Sequence, residues 1–162
     1  NLPYYAATHI LKRLIHYRER FSSITVMLQK EVVDRLVAVP GTRDYGSLSV
    51  FIQFYCKVER LMEVGKDSFS PKPKIDSSVI KLTPLAKPKV QVDNIKTFFT
   101  IVNSSFLHKR KMLKNNLKER QSLFKKQNKK IVLAGIDLNR RGETLSLEDF
   151  AILSNHIFMC DD

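Results

Sequence analysis

The segment at residues 84–89, Pro-Leu-Ala-Lys-Pro-Lys, most constrains the fold of this chain, because the sequence pattern differs on its two sides. Two prolines and two lysines around a single large apolar residue are typical of a stiff, solvated linker. Strand-like and helical patterns alternate before this segment, and only helical patterns follow it. We therefore expect an α/β domain over residues 1–84, a linker over 85–92 and a small helical domain over 93–162.

The first part of the chain alternates between short apolar runs and amphipathic stretches. Three runs have the β-branched or alternating pattern of strands, at residues 24–28, 57–64 and 77–82. Apolar residues at helical spacing predict three helices, over residues 8–18, 30–39 and 48–55. Helices that alternate with strands in this way are typical of an α/β fold.

Beyond the linker, the apolar residues recur at helical spacing. The predicted helices cover residues 94–102, 112–117, about 121–133 and 147–158. Asp93 is well placed to cap the first of these helices, and Ser146 with Asp149 resembles a capping box at the start of the last. The pattern therefore predicts that this second domain is all-helical.

The charge of the chain favours a polyanionic partner. The 162 residues include 28 Lys and Arg against 16 Asp and Glu, which gives a formal net charge of +12. Nucleic acid is the most common partner of such a basic protein. A basic protein that is merely soluble, without such a partner, is the alternative.

Membrane and metal sites have little support in the sequence. No apolar run approaches the roughly 20 residues of a membrane-spanning helix, and no signal-peptide pattern opens the chain. Cys56 and Cys160 lie far apart, without His or Cys at metal-ligand spacing, and the four histidines are scattered. We expect a cytoplasmic protein with reduced thiols, without a metal site and without a membrane partner.

The first five residues, Asn1-Leu2-Pro3-Tyr4-Tyr5, form a compact device for holding an amino group on a flat ring. The Asn1 side-chain oxygen can accept one N–H, and a carbonyl beside Pro3 can accept the second. Tyr4 offers a ring face on which a base can stack. With both amine hydrogens engaged, the nitrogen lone pair is steered toward an electrophile. A plain turn in which the tyrosines pack is the alternative for so short a motif.

A second candidate segment is the loop at residues 68–77, which contains Pro71 and Pro73. The two prolines stiffen the backbone, so we expect Phe69 to be presented on a rigid arm. Such a ring suits stacking on an unpaired base, an interaction worth about 1–3 kcal/mol, while Lys72 and Lys74 meet phosphate. The alternative is that Phe69 fills the core and the prolines only shape a crossover.

A third candidate is the basic stretch at residues 109–130, which holds ten Lys or Arg and a single acid, Glu119. A helical surface of this composition can track phosphates, with an affinity that falls steeply with salt. A solvated face without a partner is the usual alternative for a run of charge. The candidate phosphate contacts are Lys109, Arg110, Lys111, Lys114, Arg140 and Arg141.

Several of these segments resemble one known family. The opening motif is similar to the Asn-(Asp/Leu/Pro)-Pro-Tyr motif of S-adenosylmethionine-dependent amino-methyltransferases that act on adenine. Together the segments resemble the bacterial small-subunit ribosomal RNA adenine dimethyltransferase family, in order and in spacing. The matching segments are residues 1–5, 28–35, 40–50, 69–77, 135–137 and 140–147.

The resemblance implies an activity and a fold. It implies methyl transfer from S-adenosylmethionine to two adjacent adenines in the hairpin loop near the 3′ end of 16S rRNA. The small ribosomal subunit would be the partner, and the basic stretch would face its RNA. Residues 1–84 would be the second half of a Rossmann-like methyltransferase domain, followed by the helical domain. The interpretation as a phosphate-binding surface then outweighs the solvated face.

The resemblance also implies roles for individual residues. Asn1 and the backbone of Leu2 and Pro3 would hold the N6 amine of adenine, and Asn1 would also touch the cofactor. Tyr4 would stack on one face of the flipped base, and Phe69 would close over the other face. No general base is implied, because the sulfonium is a strong electrophile and the amine proton can leave to water.

One departure from the family concerns the cofactor. Family members bind S-adenosylmethionine through a glycine-rich turn, whereas this chain has five glycines and no G-x-G arrangement. We therefore expect the main cofactor motif to lie outside this chain, and this C-terminal part by itself to be inactive. We further expect a monomer. The open alternatives are a macrolide-resistance-type 23S rRNA adenine methyltransferase, which shares the opening motif, and a non-catalytic RNA- or ribosome-binding module.

Overall fold

The structure, a computed structural model, describes residues 1–118 and 135–158. These residues form two compact units. The first contains Asn1–Ala38 and Ile52–Lys89, and the second contains Val39–Phe51 and the described residues from Val90 onward. The sequence predicts residues 39–51 in the first domain, whereas the structure places them in the second unit. The domain limits at 1–84, 85–92 and 93–162 stay a prediction.

The first unit contains a three-stranded antiparallel sheet and two helices. In chain order these are helix α1 (Ala7–His16), strand β1 (Ile24–Gln29), helix α2 (Lys30–Val37), strand β2 (Cys56–Val64) and strand β3 (Ser77–Pro84). Two 3-10 turns, Arg18–Arg20 and Lys66–Ser68, follow α1 and β2. Each strand and helix predicted in this region is present, with ends that differ by a few residues.

Strand β3 lies in the middle of the sheet, between β1 and β2. Val26 of β1 faces Ile80 of β3, and Val58 of β2 faces Leu82 of β3. Side chains alternate in burial along β1 because successive residues of a strand point to opposite faces. The register therefore places the start of β3 beside the end of β1, with Ser77 opposite Gln29.

The helices of the first unit bury one face each. Helix α1 buries Ala7, Leu11 and Ile15, which lie four residues apart. Complete burial of a leucine or isoleucine side chain contributes about 1.5–3 kcal/mol. At the end of α2, the Gln53 amide nitrogen donates to the carbonyls of Leu36 at 3.0 Å and Ala38 at 2.8 Å, so a side chain satisfies carbonyls that a helix end leaves unpaired.

The second unit is helical in its described part. It contains helix α4 (Ile95–Ser105), helix α5 (Leu113–Lys118), a 3-10 turn (Gly142–Thr144) and helix α6 (Leu147–Phe158). Helix α3 (Ser47–Tyr55) begins in this unit, and its last four residues belong to the first unit. The helix predicted at residues 121–133 lies outside the described residues.

The helix caps of the second unit correct one prediction and confirm another. Asn94, and not Asp93, caps α4, because the Asn94 side chain accepts the Thr97 N–H at 2.9 Å. The capping box of α6 is present: the Asp149 N–H donates to Ser146 Oγ at 3.1 Å, and the Ser146 N–H donates to the Asp149 carboxylate at 3.2 Å.

Aromatic packing and two glycines shape the second unit. Phe106 packs against both Tyr45 and Phe150, with ring centroids 5.9 Å apart in each pair. Gly41 has a φ of 86°, which favours glycine, and its N–H donates to the Glu143 carbonyl at 2.7 Å. A Cβ on Gly142 would overlap the backbone carbonyl of Ser105, so only glycine allows this close approach.

The linker region is bound to the first unit more firmly than its composition suggests. The Leu85 N–H donates to the Tyr55 carbonyl and the Lys89 N–H donates to the Phe54 carbonyl, both at 2.9 Å. The side chains at residues 86–89 are exposed, as expected for a solvated segment. The backbone is nevertheless held against the end of α3.

Neither a membrane-spanning helix nor a cluster of metal-ligating side chains occurs in the part of the chain that the structure describes. No helix there is long and apolar enough to cross a bilayer. Within the same residues, no group of three His, Cys, Asp or Glu side chains comes together as metal ligands would. Cys56 is a buried free thiol, and Cys160 lies outside the described part.

Candidate functional site

The opening segment and the Phe69 loop meet at one cleft of about 250 Å³ in the first unit. Its lining residues are Asn1, Leu2, Pro3, Tyr4, Phe69, Pro71 and Pro73. Clefts that enclose drug-sized ligands are typically about 300–1,000 Å³. This cleft is smaller than that range. Two segments that are distant in the sequence therefore supply the two sides of one site.

Backbone hydrogen bonds hold the opening segment in place. The Leu2 N–H donates to the Met27 carbonyl of β1 at 3.2 Å, and the Ala6 N–H donates to the Pro3 carbonyl at 3.0 Å. The Pro3 carbonyl therefore already takes part in the turn that leads into α1. The Leu2 carbonyl, at the peptide bond into Pro3, is the other backbone acceptor of the opening segment.

A side-chain hydrogen bond orients Tyr4. Its hydroxyl lies 2.9 Å from Ser77 Oγ, at the first residue of β3. Ser77 is completely buried, whereas Tyr4 is half-buried and lines the cleft. The bond fixes the direction of the Tyr4 ring from behind. Sequence reasoning missed Ser77, because only the strand register brings it to Tyr4.

Asp76 organises the loop that carries Phe69. The Asp76 carboxylate accepts the Lys66 N–H at 2.9 Å, and the Asp76 carbonyl accepts the Lys30 N–H at 3.0 Å. One residue thereby ties the start of the loop to its end, and both to the junction of β1 and α2. Phe69 is half-buried, with an extended backbone at the end of the 3-10 turn. It lines the cleft and is not enclosed in the core.

The two loop lysines lie outside the lining of this cleft. Lys72 forms an ion pair with Asp67 of the same loop, and both side chains are more than half exposed. Such a pair contributes little to stability. Lys74 lines a neighbouring cleft of about 350 Å³ together with Lys30, Glu31, Asp34, Lys66, Ile75 and Asp76.

A charge network on α2 and β2 was not anticipated from the sequence. Glu63 accepts hydrogen bonds from Lys30 at 2.7 Å and from Arg60 at 2.9 Å, and Arg60 also pairs with Asp34. The Lys30 hydrogen bond is the main reason that the pKa of Glu63 lies below its ordinary value. The same bond raises the pKa of Lys30. The network adjoins the base of the Phe69 loop. The four charged side chains of the network bind one another.

The basic residues predicted to meet RNA differ in their availability. Lys109, Arg110 and Lys111 are exposed in the second unit. Lys114 is exposed and donates to the Asn139 side chain at 2.8 Å. The remainder of the basic stretch, from residue 119 onward, lies outside the described part.

The two arginines at residues 140–141 differ from each other. Arg140 donates to Thr144 Oγ1 at 3.1 Å and to the Thr144 carbonyl, and it pairs with Asp149 at 3.1 Å. These contacts hold Arg140 within its own unit. Arg141 is more exposed, and its guanidinium lies 3.9 Å from Glu143. Arg141 is therefore the better placed of the two for an external phosphate.

Comparison with known proteins decides the family. A family model described as "Ribosomal RNA adenine dimethylase" matches residues 1–158. The chain belongs to this family. The family expected from the sequence motifs is thereby confirmed.

Curated relatives within the dimethylase family are similar over nearly the whole chain. "Ribosomal RNA small subunit methyltransferase A" of Clostridium botulinum (strain Kyoto / Type A2) is 46% identical over 158 residues, which cover 98% of this chain and 58% of that protein. The protein of the same name from Bacillus cytotoxicus is 50% identical over 159 residues, covering 96% of this chain and 54% of that protein. The chain thus spans little more than half the length of these dimethylase relatives.

Solved structures support the same fold. The crystal structure of a dimethyladenosine transferase from Plasmodium falciparum matches with a TM-score of 0.76 at 24% identity, covering 94% of this chain and 63% of that chain. The crystal structure of the 23S rRNA methyltransferase ErmE matches with a TM-score of 0.67 at 18% identity, covering 97% of this chain and 63% of that chain. The chain therefore has part of a Rossmann-like methyltransferase fold together with a helical unit, as the sequence predicted.

Proposed function

We propose that the protein acts as an rRNA adenine-N6,N6-dimethyltransferase. Its substrates would be two adjacent adenines in the 3′-terminal hairpin loop of 16S rRNA, methylated during small-subunit biogenesis in the cytoplasm. The single observation that carries the proposal is the cleft in which Asn1–Tyr4 face Phe69. The similarity to proteins named "Ribosomal RNA small subunit methyltransferase A" supports the choice of the small subunit. We also propose that it works as a monomer.

Asn1 and Leu2 would hold the amine of the target adenine. The Asn1 side-chain oxygen accepts one amine hydrogen and the Leu2 carbonyl accepts the other, because the Pro3 carbonyl is engaged by Ala6. With both hydrogens held, the amine nitrogen directs its lone pair away from these acceptors. Fixing this direction lowers the barrier by orientation alone, which can contribute several kcal/mol.

Tyr4 and Phe69 would hold the base itself. The Tyr4 ring, fixed through Ser77, supports one face of a base that has been flipped out of its stack. Phe69 covers the other face from the loop tethered by Asp76. Each base–aromatic contact is worth about 1–3 kcal/mol, which offsets the cost of unstacking.

The cofactor that fits this chemistry is S-adenosylmethionine, which supplies a methyl group on a sulfonium when it is bound. Asn1 is the cofactor-contacting residue that we propose here, since its exposed amide offers both a donor and an acceptor at the cleft. None of the seven cleft-lining residues is a carboxylic acid, a histidine or a lysine. The amine proton would leave to water once the N–C bond forms, since the sulfonium is a strong electrophile.

The RNA backbone would be held by basic side chains of each unit. Lys72 and Lys74 lie in the Phe69 loop and its neighbouring cleft, and Lys109, Arg110, Lys111, Lys114 and Arg141 are exposed in the second unit. Arg140 would contribute mainly by holding the 140–149 region in shape. Phosphate contacts of this kind position the RNA without reading its sequence.

The test replaces Asn1 by Ala in the gene product as the cell makes it. Methyl transfer to 16S rRNA is expected to fall by about 100-fold or more, with RNA affinity unchanged within about twofold. Tyr5→Ala is the matched control, because Tyr5 is 96% exposed beside the motif and has no assigned role. Equal losses of methyl transfer and of RNA binding on Asn1→Ala would refute the amine clamp.

Assays of the same protein distinguish the proposed function from two other functions. The 23S rRNA methyltransferase ErmE shares the fold, so a methyltransferase acting on 23S rRNA is the second candidate. Offering 16S and 23S rRNA in parallel decides between them, and methylation of 23S rRNA alone would overturn the small-subunit assignment. RNA binding without methyl transfer to either rRNA would leave a ribosome-binding module.

A further inference from the structure

The end of helix α1 presents an aromatic and basic surface that the proposed chemistry does not use. Tyr17 is 42% exposed and Phe21 is 37% exposed. They flank the 3-10 turn, in which the Arg20 N–H donates to the Tyr17 carbonyl and the Phe21 N–H donates to the Arg18 carbonyl, both at 3.0 Å. Both rings are therefore presented by a hydrogen-bonded turn. We call His16, Tyr17, Arg20 and Phe21 the α1-end patch.

The Tyr17 ring is held in place by its neighbours. The Arg20 guanidinium carbon lies 5.3 Å from the Tyr17 ring centroid, and the His16 ring meets Tyr17 edge-on at 5.0 Å. A guanidinium beside an exposed ring restricts the ring while its own charge stays in water. The Tyr17 ring therefore has an arginine over one face and a histidine ring against it before any partner arrives.

Arg18, in the same turn, packs against the first unit. Its guanidinium lies 4.2 Å over the Tyr55 ring, and it donates to the Ile15 carbonyl at 3.4 Å. Arg18 is half-buried, whereas Arg20 is exposed. The two arginines therefore differ: Arg18 stabilises the unit, and Arg20 stays at the surface beside Tyr17.

The α1-end patch continues along the helix as a basic stripe. The exposed residues of α1 recur every three or four positions and so share one face. Within residues 7–21 the single acidic residue is Glu19. The exposed cations of that stripe are Lys12 and Arg13, and His9 and His16 lie on the same face. Positive charge thus flanks the exposed rings on the helix side.

An ordinary solvated helix explains part of this surface. Scattered exposed aromatic residues are common, and a basic helix face often has no partner. It does not account for two exposed rings at one turn, one of them held by an arginine, at the end of a basic stripe. Rings with flanking cations are the features with which proteins bind unpaired nucleotides.

We propose that the α1-end patch binds an unpaired nucleotide of the RNA, at a position separate from the target adenine. A base stacks on Tyr17, with Phe21 beside it, while Arg20, Lys12 and Arg13 meet the flanking phosphates. The proposal rests on the proposed function, because it takes RNA as the substrate. None of the patch residues lines the cleft of Asn1 and Phe69.

The test measures binding of the gene product, as the cell makes it, to a short fluorescein-labelled single-stranded RNA. Tyr17→Ala is expected to weaken binding by about 5- to 150-fold, the range for one base–aromatic stack. Tyr17→Phe keeps the ring and should bind within about twofold of wild type. Arg20→Gln should reduce the salt slope of binding by about one, whereas Arg43→Gln, at an exposed arginine of the other unit, should not.

Several outcomes would overturn the proposal. Wild-type affinity in Tyr17→Ala would do so, and so would a loss in Tyr17→Phe as large as in Tyr17→Ala. Equal binding of a fully paired RNA hairpin, or a Tyr17-dependent affinity for anionic phospholipid vesicles but not for RNA, would point to another partner class. If Tyr17→Ala does not fold, Arg20→Gln tests the proposal: an unchanged salt slope of RNA binding would overturn it.

Methyl transfer by the wild-type protein to 16S rRNA is measured alongside. Absence of methyl transfer would contradict the proposed function. Methyl transfer that proceeds while Tyr17→Ala binds RNA normally would overturn only the α1-end patch. The two failures are therefore distinguishable.

Discussion

The Tyr4 hydroxyl lies 2.9 Å from the Oγ of Ser77, at the start of the central strand β3. Tyr4 lines the cleft shared with Phe69, and Ser77 is buried behind it. Ser77 is the last residue of a loop segment that resembles the family, but the sequence assigned it no role of its own. In the structure it orients Tyr4, a residue of the opening motif. The geometry of the site depends on how the sheet is paired as much as on the opening segment.

Removing the Ser77 hydroxyl should loosen the Tyr4 ring. We expect Ser77→Ala to cost about 0.5–1.5 kcal/mol in the free energy of unfolding, the usual net contribution of a hydrogen bond, and to lower methyl transfer more than RNA affinity. Ser78→Ala is the matched control, because the buried Ser78 Oγ has no partner within the described residues. Thermal unfolding and a methylation assay check both variants, and equal effects of the two would contradict the expectation.

The Phe69 loop should depend on Asp76. We expect Asp76→Ala to increase protease cleavage and amide exchange at residues 65–76, because the bond to the Lys66 N–H is lost. Asp67→Ala removes another aspartate of the same loop, which forms an exposed pair with Lys72, and it should change stability by less than about 0.5 kcal/mol. Hydrogen exchange followed by mass spectrometry measures both. Normal protection of the loop in Asp76→Ala would show that the tether is unimportant.

Gly142 should not tolerate a side chain. A Cβ there would overlap the Ser105 carbonyl, so we expect Gly142→Ala to destabilise the protein by about 1–3 kcal/mol. Gly46→Ala is the control, since a Cβ at Gly46 meets no atom within 4 Å. Denaturant unfolding measures both variants. A Gly142→Ala protein as stable as Gly46→Ala would mean that the α4 backbone shifts without cost.

Cys56 should make stability fall at alkaline pH. Burial raises the pKa of the Cys56 thiol from its ordinary value near 9 to about 11, and the positive charge of Arg18 acts in the opposite direction. The folded state therefore keeps its proton when the unfolded chain loses it. The contribution of the thiol to stability is complete below about pH 9 and is lost as the pH rises toward about 11.

The measurement compares wild type with Cys56→Ala, a reference in which all other titrating groups are retained. We expect the stability difference between them to shift against wild type by about 1 kcal/mol per pH unit above pH 9. Unfolding in urea at several pH values provides this difference. A constant difference from pH 8 to about pH 10.5 would mean that the thiol titrates normally in the folded protein.

The elements of the fold were largely predictable because their patterns are local. The β-branched run of β1 and the apolar spacing of α1 identify their own structure. The capping box at Ser146 is likewise contained in four consecutive residues. The Asn94 cap was assigned one residue too early, because Asp and Asn are both good caps and only the backbone conformation separates them.

Other features could not be obtained from patterns. The network of Asp34, Arg60 and Glu63 joins two elements, so no spacing along the chain reveals it. The contacts of Arg140 with Thr144 and Asp149 could not be predicted from spacing either. The sequence predicts a phosphate contact at Arg140, whereas the fold holds its guanidinium in hydrogen bonds and an ion pair. The roles of Asn1, Tyr4 and Phe69 in holding a base remain predictions, although the fold does bring these residues to one cleft.

The sequence by itself determined the family and the elements, because motifs and periodicity are properties of neighbouring residues. It also supplied the chemical groups for gripping an amine, in Asn1, Leu2 and Tyr4. Only the tertiary structure decided that Phe69 faces these residues, that Ser77 orients Tyr4 and that Asp76 ties down the loop. These relationships depend on strand register and on hydrogen bonds between distant segments, which the free energy of the whole fold selects and no short stretch encodes.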